Sequence, residues 1–209
     1  MTLLYSPQRS GGTLVYNIVS HFIQDIKPQT HELWNRAVPW PGNVISSYRD
    51  FRDSILSSWR TRVEFDTVED LQQCTFDDPL LKADIKLWED HVIPILNKYR
   101  DHFGDNILLL QYEKFVNDFD YIFDRLEPFL GIDIPNSTRN EIKETCSIDA
   151  MRKVQRRFST NEKYDYKTQI HGYHIFTGKP GTWKDLLVER DHDKLTKRFA
   201  SQLKDWGYE

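Results

Sequence analysis

The feature that most constrains the fold is the short apolar run at residues 106–112, NILLLQY. A strand with one wet face alternates apolar and polar residues. This one does not, so it reads as a strand covered on both faces. Helical periodicity flanks it. Leu81, Ile85, Trp88, Val92, Ile95 and Tyr99 fall on one face of a helix predicted over 79–101. Phe115, Phe119, Ile122, Phe123, Leu126 and Leu130 mark another, stopped at Gly131. The rest of the chain continues the alternation. Strands are predicted at 2–6, 28–33 and 43–48, and helices at 12–25, 50–62 and 136–146. A closing helix carries Leu195, Phe199, Leu203 and Trp206. The expected fold is α/β in three layers, with a mostly parallel central sheet and helices on both faces. The 209 residues suit a single domain over 1–209. The polar stretch at about 154–182 is too long for a plain connection and reads as a lid.

In such sheets ligands collect beyond the carboxyl ends of the strands. The first strand ends in SPQRSGGTL, residues 6–14, and a helical pattern begins at once. Free amides at a helix start and the positive end of its dipole both favour an anion. Gly11 and Gly12 allow close backbone approach, Ser10 and Thr13 supply hydroxyls, and Arg9 supplies charge. The Walker A ending and its leading glycine are missing, which points away from ATP with magnesium. A tight turn capped by Ser10 or Thr13 is the alternative reading. The strand at 43–48 repeats the design: Arg49 at its end, a helix opening at Asp50, and Ser57 two turns in. Arg52 and Arg60 add positive charge nearby. An ordinary solvated helix face with Arg–Asp pairs is the alternative there. Two such stations on neighbouring strand ends suit a ligand with phosphate groups at two separated places.

Composition narrows the partners. A net charge of −4 argues against general nucleic-acid binding, so any anion site is local. Cys74 and Cys146 form no CxxC pair and read as two reduced thiols of a cytosolic protein. No basic-then-apolar leader opens the sequence, and no apolar run reaches transmembrane length. The expectation is a soluble, cytoplasmic protein with no membrane partner. No HExxH or CxxC spacing is present, so no metal is expected.

The two stations resemble those of sulfotransferases that use 3′-phosphoadenosine 5′-phosphosulfate (PAPS). PQRSGGTL is similar to the family's 5′-phosphosulfate loop, P-K/R-S-G-T-T-W. YRDFRDSILSSW is similar to its 3′-phosphate segment, Y-R-D/N-x-R/K-D-x-x-x-S. QYEKF with a helix ending in FLGI, and GKPGTWK at 178–184, echo two further family segments in the right order. The resemblance implies a P-loop-like fold with PAPS as donor, 3′-phosphoadenosine 5′-phosphate (PAP) as product, and no metal. It places Arg9 beside the bridging oxygen of the leaving group and wraps Ser10, Gly11, Gly12 and Thr13 around the 5′-phosphate. It gives Arg49 and Ser57 to the 3′-phosphate, Tyr112 to the adenine, and Gly178 to the lid's 3′-phosphate station.

For the base, family members with small-molecule acceptors often carry K-T-H on the second strand, and IKPQTHEL places His31 there. Histidine suits the task because its free pKa lies near working pH. Glu32 is the rival, and His171 and His174 in the lid are more distant candidates. The implied reaction moves a sulfonate to a hydroxyl or amine of a small-molecule or glycan acceptor by in-line displacement. Several residues depart from the family pattern. Leu14 stands where a tryptophan often stacks on adenine. Phe176-Thr177 replaces an Arg-Lys pair before Gly178, with Lys179, Arg156 and Arg157 as possible replacements. The family's dimer stretch has no clear counterpart in KDLLVERDHDK. Trp34 and Trp40 suit either a packed loop or an acceptor platform. A PAP-binding module without transfer activity and an atypical P-loop kinase are the alternative functions.

Overall fold

Three parallel strands form the sheet in a computed structural model that describes residues 2–23, 42–64, 72–158 and 163–208. They are β1 (Thr2–Leu4), β2 (Asn43–Tyr48) and β3 (Ile107–Gln111), with β2 in the centre. Leu4 lies opposite Ile45, and Ile45 opposite Leu108. The expected strand at 28–33 lies outside the described residues, as do His31, Glu32, Trp34 and Trp40.

The alternation of side chains along each strand feeds two cores. On one face Leu4, Ile45, Leu108 and Leu110 pack with Val15 and Ile18 of helix α1 (Gly12–Val19) and with Ile122 and Phe123 of a later helix. On the other, Leu109 and Tyr48 pack against a cluster containing Phe51, Ile55 and Trp88. The apolar run at 106–112 is thus covered from both sides, which is the parallel sheet with helices on both faces that its composition demanded.

Helix α2 (Phe51–Val63) leaves β2 through Asp50, whose carboxylate caps the Arg52 amide. Next come α3 (Pro79–Leu87) and α4 (Ile93–Phe103), joined by a π-helical turn at Trp88–Val92. The periodicity predicted one unbroken helix there. Pro94 has no amide to donate to the preceding turn, and the wider turn before it accommodates that loss without breaking the rod. The chain then leaves β3 at Gln111 and turns into α5 (Tyr112–Phe115), one residue earlier than the apolar run suggests. It continues through α6 (Asp120–Leu130), α7 (Asn136–Thr145) and α8 (Ile148–Gln155). After the lid come α9 (Trp183–Leu186), α10 (His192–Arg198) and α11 (Ala200–Asp205). The last two replace the single closing helix expected, with the break at Phe199. Helix α1 also stops short of the predicted 12–25, giving way to turns after Val19.

Candidate active site

The loop between β1 and α1 is latched to the neighbouring strand by buried hydroxyls. Ser47 donates its amide and its hydroxyl to Ser6 Oγ, each at 3.0 Å. Ser10 Oγ donates to the Pro7 carbonyl at 2.8 Å and lies 3.2 Å from Ser47 Oγ. Ser10 is therefore turned into the loop and shapes it from beneath. Gly11 has φ 88°, and a Cβ there would stand 2.5 Å from Tyr112 Cδ2. Only glycine fits between this turn and the Tyr112 ring.

Arg9 is held in the left-handed region, with φ 64°. That conformation costs a residue with a Cβ about 1–2 kcal/mol, and three side-chain contacts hold it. Arg9 Nε donates to Ser57 Oγ at 3.1 Å; one terminal nitrogen donates to the His174 carbonyl at 2.6 Å and to the Tyr173 carbonyl at 3.4 Å. Burial and the neighbouring Arg49 charge lower its pKa to about 10, which leaves it charged at neutral pH.

Arg49 lies at the end of β2, as its sequence position implied. It donates to the Lys179 carbonyl at 3.0 Å and stacks over Tyr112 at 4.4 Å. Burial opposes its charge, but Asp53, Tyr112, Glu113 and Asp50 outweigh that and raise its pKa. Its Nε is buried with no acceptor among the described residues. Tyr112 in turn donates its hydroxyl to the Gly178 carbonyl at 2.9 Å. Gly178 has φ 72°, and a Cβ there would run into the end of Ile148.

These groups surround one cavity of about 360 Å³. Arg9, Gly11, Gly12, Thr13, Arg49 and Ser57 line it, with Tyr112 and Gly178 completing the set. Ser10 and Lys179 are not in the lining: Ser10 is buried behind it, and Lys179 is exposed and contributes its carbonyl to Arg49. Leu14, Val116, Phe119, Ile148 and Met151 give the cavity apolar lining. Arg60, Thr61, His171 and His174 also line it. Arg52 points elsewhere, bound to Asp50 and to Thr196 and stacked over Trp183.

Sequence reasoning missed the residues that pin the lid. Asp53 accepts the Gly181 amide at 2.7 Å and the Trp183 amide at 2.8 Å. Gln155 clamps Ile175 through both its backbone groups, and Arg152 donates to the Phe176 and Thr177 carbonyls. For Asp53 a signal existed. It stands one helical turn after Arg49, where a carboxylate can pair with it. For Gln155 and Arg152 none did, because their partners are backbone groups distant in sequence.

Fold and site together describe a P-loop-like α/β protein that gathers cations and backbone amides at the strand ends, beneath a strap of chain. A family model of the sulfotransferase domain matches residues 41–207, and the chain belongs to that family. The Arg9 loop precedes the matched span. "Cytosolic sulfotransferase 1" of Danio rerio is 29% identical over 119 residues, 56% of this chain and 38% of that protein. The chain thus spans under half the length of that relative. Among solved structures, mouse sulfotransferase SULT7A1 complexed with PAP superposes with a TM-score of 0.67 at 16% identity, covering 97% of this chain and 83% of that one. Retinol dehydratase in complex with androsterone and PAP gives 0.66 at 16% identity, covering 98% and 80%. At these identities the likeness is one of fold. No helix among the described residues is long and apolar enough to cross a membrane.

Proposed function

We propose that this chain is a PAPS-dependent sulfotransferase acting on a hydroxyl or amine of a small-molecule or glycan acceptor. The observation that carries the reading is the convergence of Arg9, Arg49, Ser57 and the Gly11–Gly12 turn on one cavity. These residues came from two motifs far apart in sequence. The site fits a nucleotide with separated phosphates on three counts. Arg49 Nε is buried and has no acceptor among the described residues. Gly11 lines the cavity at a turn where only glycine fits beside the Tyr112 ring. Apolar lining from Leu14, Ile148 and Met151 suits a purine. The structural relatives bound to PAP support the same ligand.

When bound, PAPS supplies an activated sulfonate. Arg9 then stands to steady the charge on the departing phosphate, with Ser57 fixing its orientation. The Gly12 and Thr13 amides, at the start of α1, hold the 5′-phosphate. Arg49 and Ser57 would hold the 3′-phosphate, with Gly178 at the lid's station for it and Tyr112 toward the adenine. Lys179 serves through its carbonyl, and Ser10 through the shape it gives the loop. His31 takes the acceptor's proton, with Glu32 as the rival base. Positioning and charge stabilisation dominate such a loose, in-line transfer.

The test is isothermal titration with PAP, with ATP and magnesium as the control. Micromolar PAP binding with much weaker ATP binding is the expected result. No PAP binding at millimolar concentration overturns the reading, and tight ATP–magnesium binding would favour a kinase. PAP binding without turnover over a broad acceptor panel would favour a nucleotide-binding module.

A further inference from the structure

Residues 152–167, RKVQRRFSTNEKYDYK, hold six basic side chains and two acidic ones in a chain whose net charge is −4. The field is positive only locally there, so it draws a short acidic ligand and not a long polyanion. Helix α8 ends inside this stretch, with Arg156 and Arg157 exposed just beyond it. Residues 163–171 then fold into a tight turn. Tyr164 and His171 pair across it as an antiparallel bridge, and the Asp165 amide donates to the Ile170 carbonyl at 2.8 Å. Asp165 Oδ1 accepts the Lys167 and Thr168 amides and the Thr168 hydroxyl. The Thr168 carbonyl accepts Asn17 Nδ2 at 2.8 Å, which fastens the turn to α1. The Thr168 amide does most to lower the Asp165 pKa and Arg157 adds to it, which places Arg157 beside the turn. Tyr166 projects from it at 84% exposure and Tyr164 at 44%, the most exposed large apolar side chains among the described residues. Their ring centroids lie 4.9 Å apart, and the exposed Lys163 and Lys167 flank them in sequence. Neither tyrosine lines the cavity, but His171, the bridge partner of Tyr164, does.

We infer that this turn is an acceptor subsite outside the cavity: Tyr164 and Tyr166 pack on a sugar ring of an acidic oligosaccharide, and Lys163, Lys167 and Arg157 meet its carboxylates. The acceptor role rests on the PAPS reading above; the binding surface stands on its own residues. Sugar rings present flat C–H faces that pack on aromatic rings, and hydroxyls that bond to phenols. Tyrosine supplies such contact area at little entropic cost, because it has only two χ angles to fix. The hydrogen bonds that hold the turn place the rings before a ligand arrives, which lowers the cost of binding. Exposed cations contribute little singly. Three of them around one aromatic pair add up to a preference for carboxylates, and salt screens it. An oligosaccharide seated on the rings continues past His171 toward the cavity, so the hydroxyl offered for transfer belongs to a neighbouring sugar. A single sugar fills one of the two places and gains less.

The experiment uses the whole chain, with and without PAP, and two probe pairs that differ only in charge. One pair is tetragalacturonate and its methyl ester; the other is a hyaluronan tetrasaccharide and its carboxyl-reduced form. The expected result is a preference of about tenfold for the charged member of at least one pair at about 50 mM salt, shrinking to under about threefold at about 0.5 M. Tyr166→Ala should weaken binding of that probe about fivefold, as for one stacked ring, and Tyr166→Phe should retain most of it. Lys163→Gln with Lys167→Gln should remove most of the charge preference. All these side chains are exposed, so PAP affinity and the thermal midpoint should stay unchanged. In turnover with PAPS the losses should appear in KM and not in kcat. Equal binding within both pairs, or binding indifferent to Tyr166→Ala, overturns the subsite while leaving the nucleotide reading intact. Equally tight, Tyr166-dependent binding of a polyglutamate decamer overturns it in favour of an acidic polypeptide. A dimer in sedimentation that Tyr166→Ala dissolves overturns it in favour of a self-contact. Oligosaccharide binding with these dependences but without any PAP binding would uphold the surface and overturn the acceptor role together with the sulfotransferase reading.

Discussion

Asp53 Oδ2 lies 3.3 Å from Arg49 Nη2 and accepts the Gly181 amide at 2.7 Å. One carboxylate, with its side chain 1% exposed, thereby joins the strand-end arginine to the far end of the lid. Asp53→Ala removes the partner of a buried charge and strands two amides. The expected loss is about 3–5 kcal/mol of stability, read as a lower urea midpoint. Faster proteolysis within 163–182 should accompany it. A loss below 1 kcal/mol would mean that the pair holds nothing together.

Arg49→Ala tests the 3′-phosphate assignment by difference. PAP binding should weaken by about 2–3 kcal/mol, as for a lost charge-assisted contact. Binding of 5′-AMP, which lacks the 3′-phosphate, should change little. Comparing two ligands on one variant cancels any general damage from leaving Asp53 without its partner. Equal losses for both would remove Arg49 from that role.

Gly11 and Gly131 are both left-handed, with φ 88° and 65°. They differ in their surroundings: a Cβ at Gly11 meets Tyr112 at 2.5 Å and Phe115 at 2.9 Å, whereas at Gly131 nothing lies within 4 Å. Gly131→Ala should cost about 1 kcal/mol from backbone strain alone. Gly11→Ala adds a clash with packed rings, costing a further 1–3 kcal/mol or so, and should weaken PAP binding as well. Thermal denaturation of the two variants, with and without PAP, makes the comparison. Similar costs would show that the loop relaxes around the added methyl.

Both thiols are buried, and burial raises Cys146 to about 11 and Cys74 to about 12. Only the thiolate reacts, and at pH 8 a thiol of pKa 11 is ionised to roughly one part in a thousand. Native protein should therefore react slowly with Ellman's reagent, and denatured protein should release two equivalents, matching its two cysteines. Cys146 also lines the cavity. Rapid labelling of one thiol at pH 8 would show that the cavity opens on that timescale.

His31→Gln should abolish sulfonate transfer while leaving PAP affinity within about twofold, because a base contacts the acceptor and not the nucleotide. Activity above a tenth of the native rate would transfer the role to Glu32. Glu32→Gln then becomes the deciding variant in the same radiolabelled transfer assay.

The sequence by itself determined the layers of this fold and pointed to residues of two distant motifs that line one cavity. The run at 106–112 admits few other readings, since an unbroken apolar strand must be covered twice. Arg9, Gly11, Arg49 and Ser57 were legible because each sits at a strand end or a fixed helical spacing from one. Three things were decided only in three dimensions. Ser10 turns inward, because the Pro7 carbonyl and Ser47 of the adjacent strand offer its hydroxyl buried partners. Lys179 contributes a carbonyl, because the left-handed turn at Gly178 and the grip of Asp53 set how the backbone meets Arg49. Arg60 and Arg9 share the Tyr173 carbonyl although they stand on different elements and the carbonyl on a third. Local spacing specifies which residues face a strand end. Which of them meet across the cavity depends on hydrogen bonds between distant segments, and those exist only once the chain has packed.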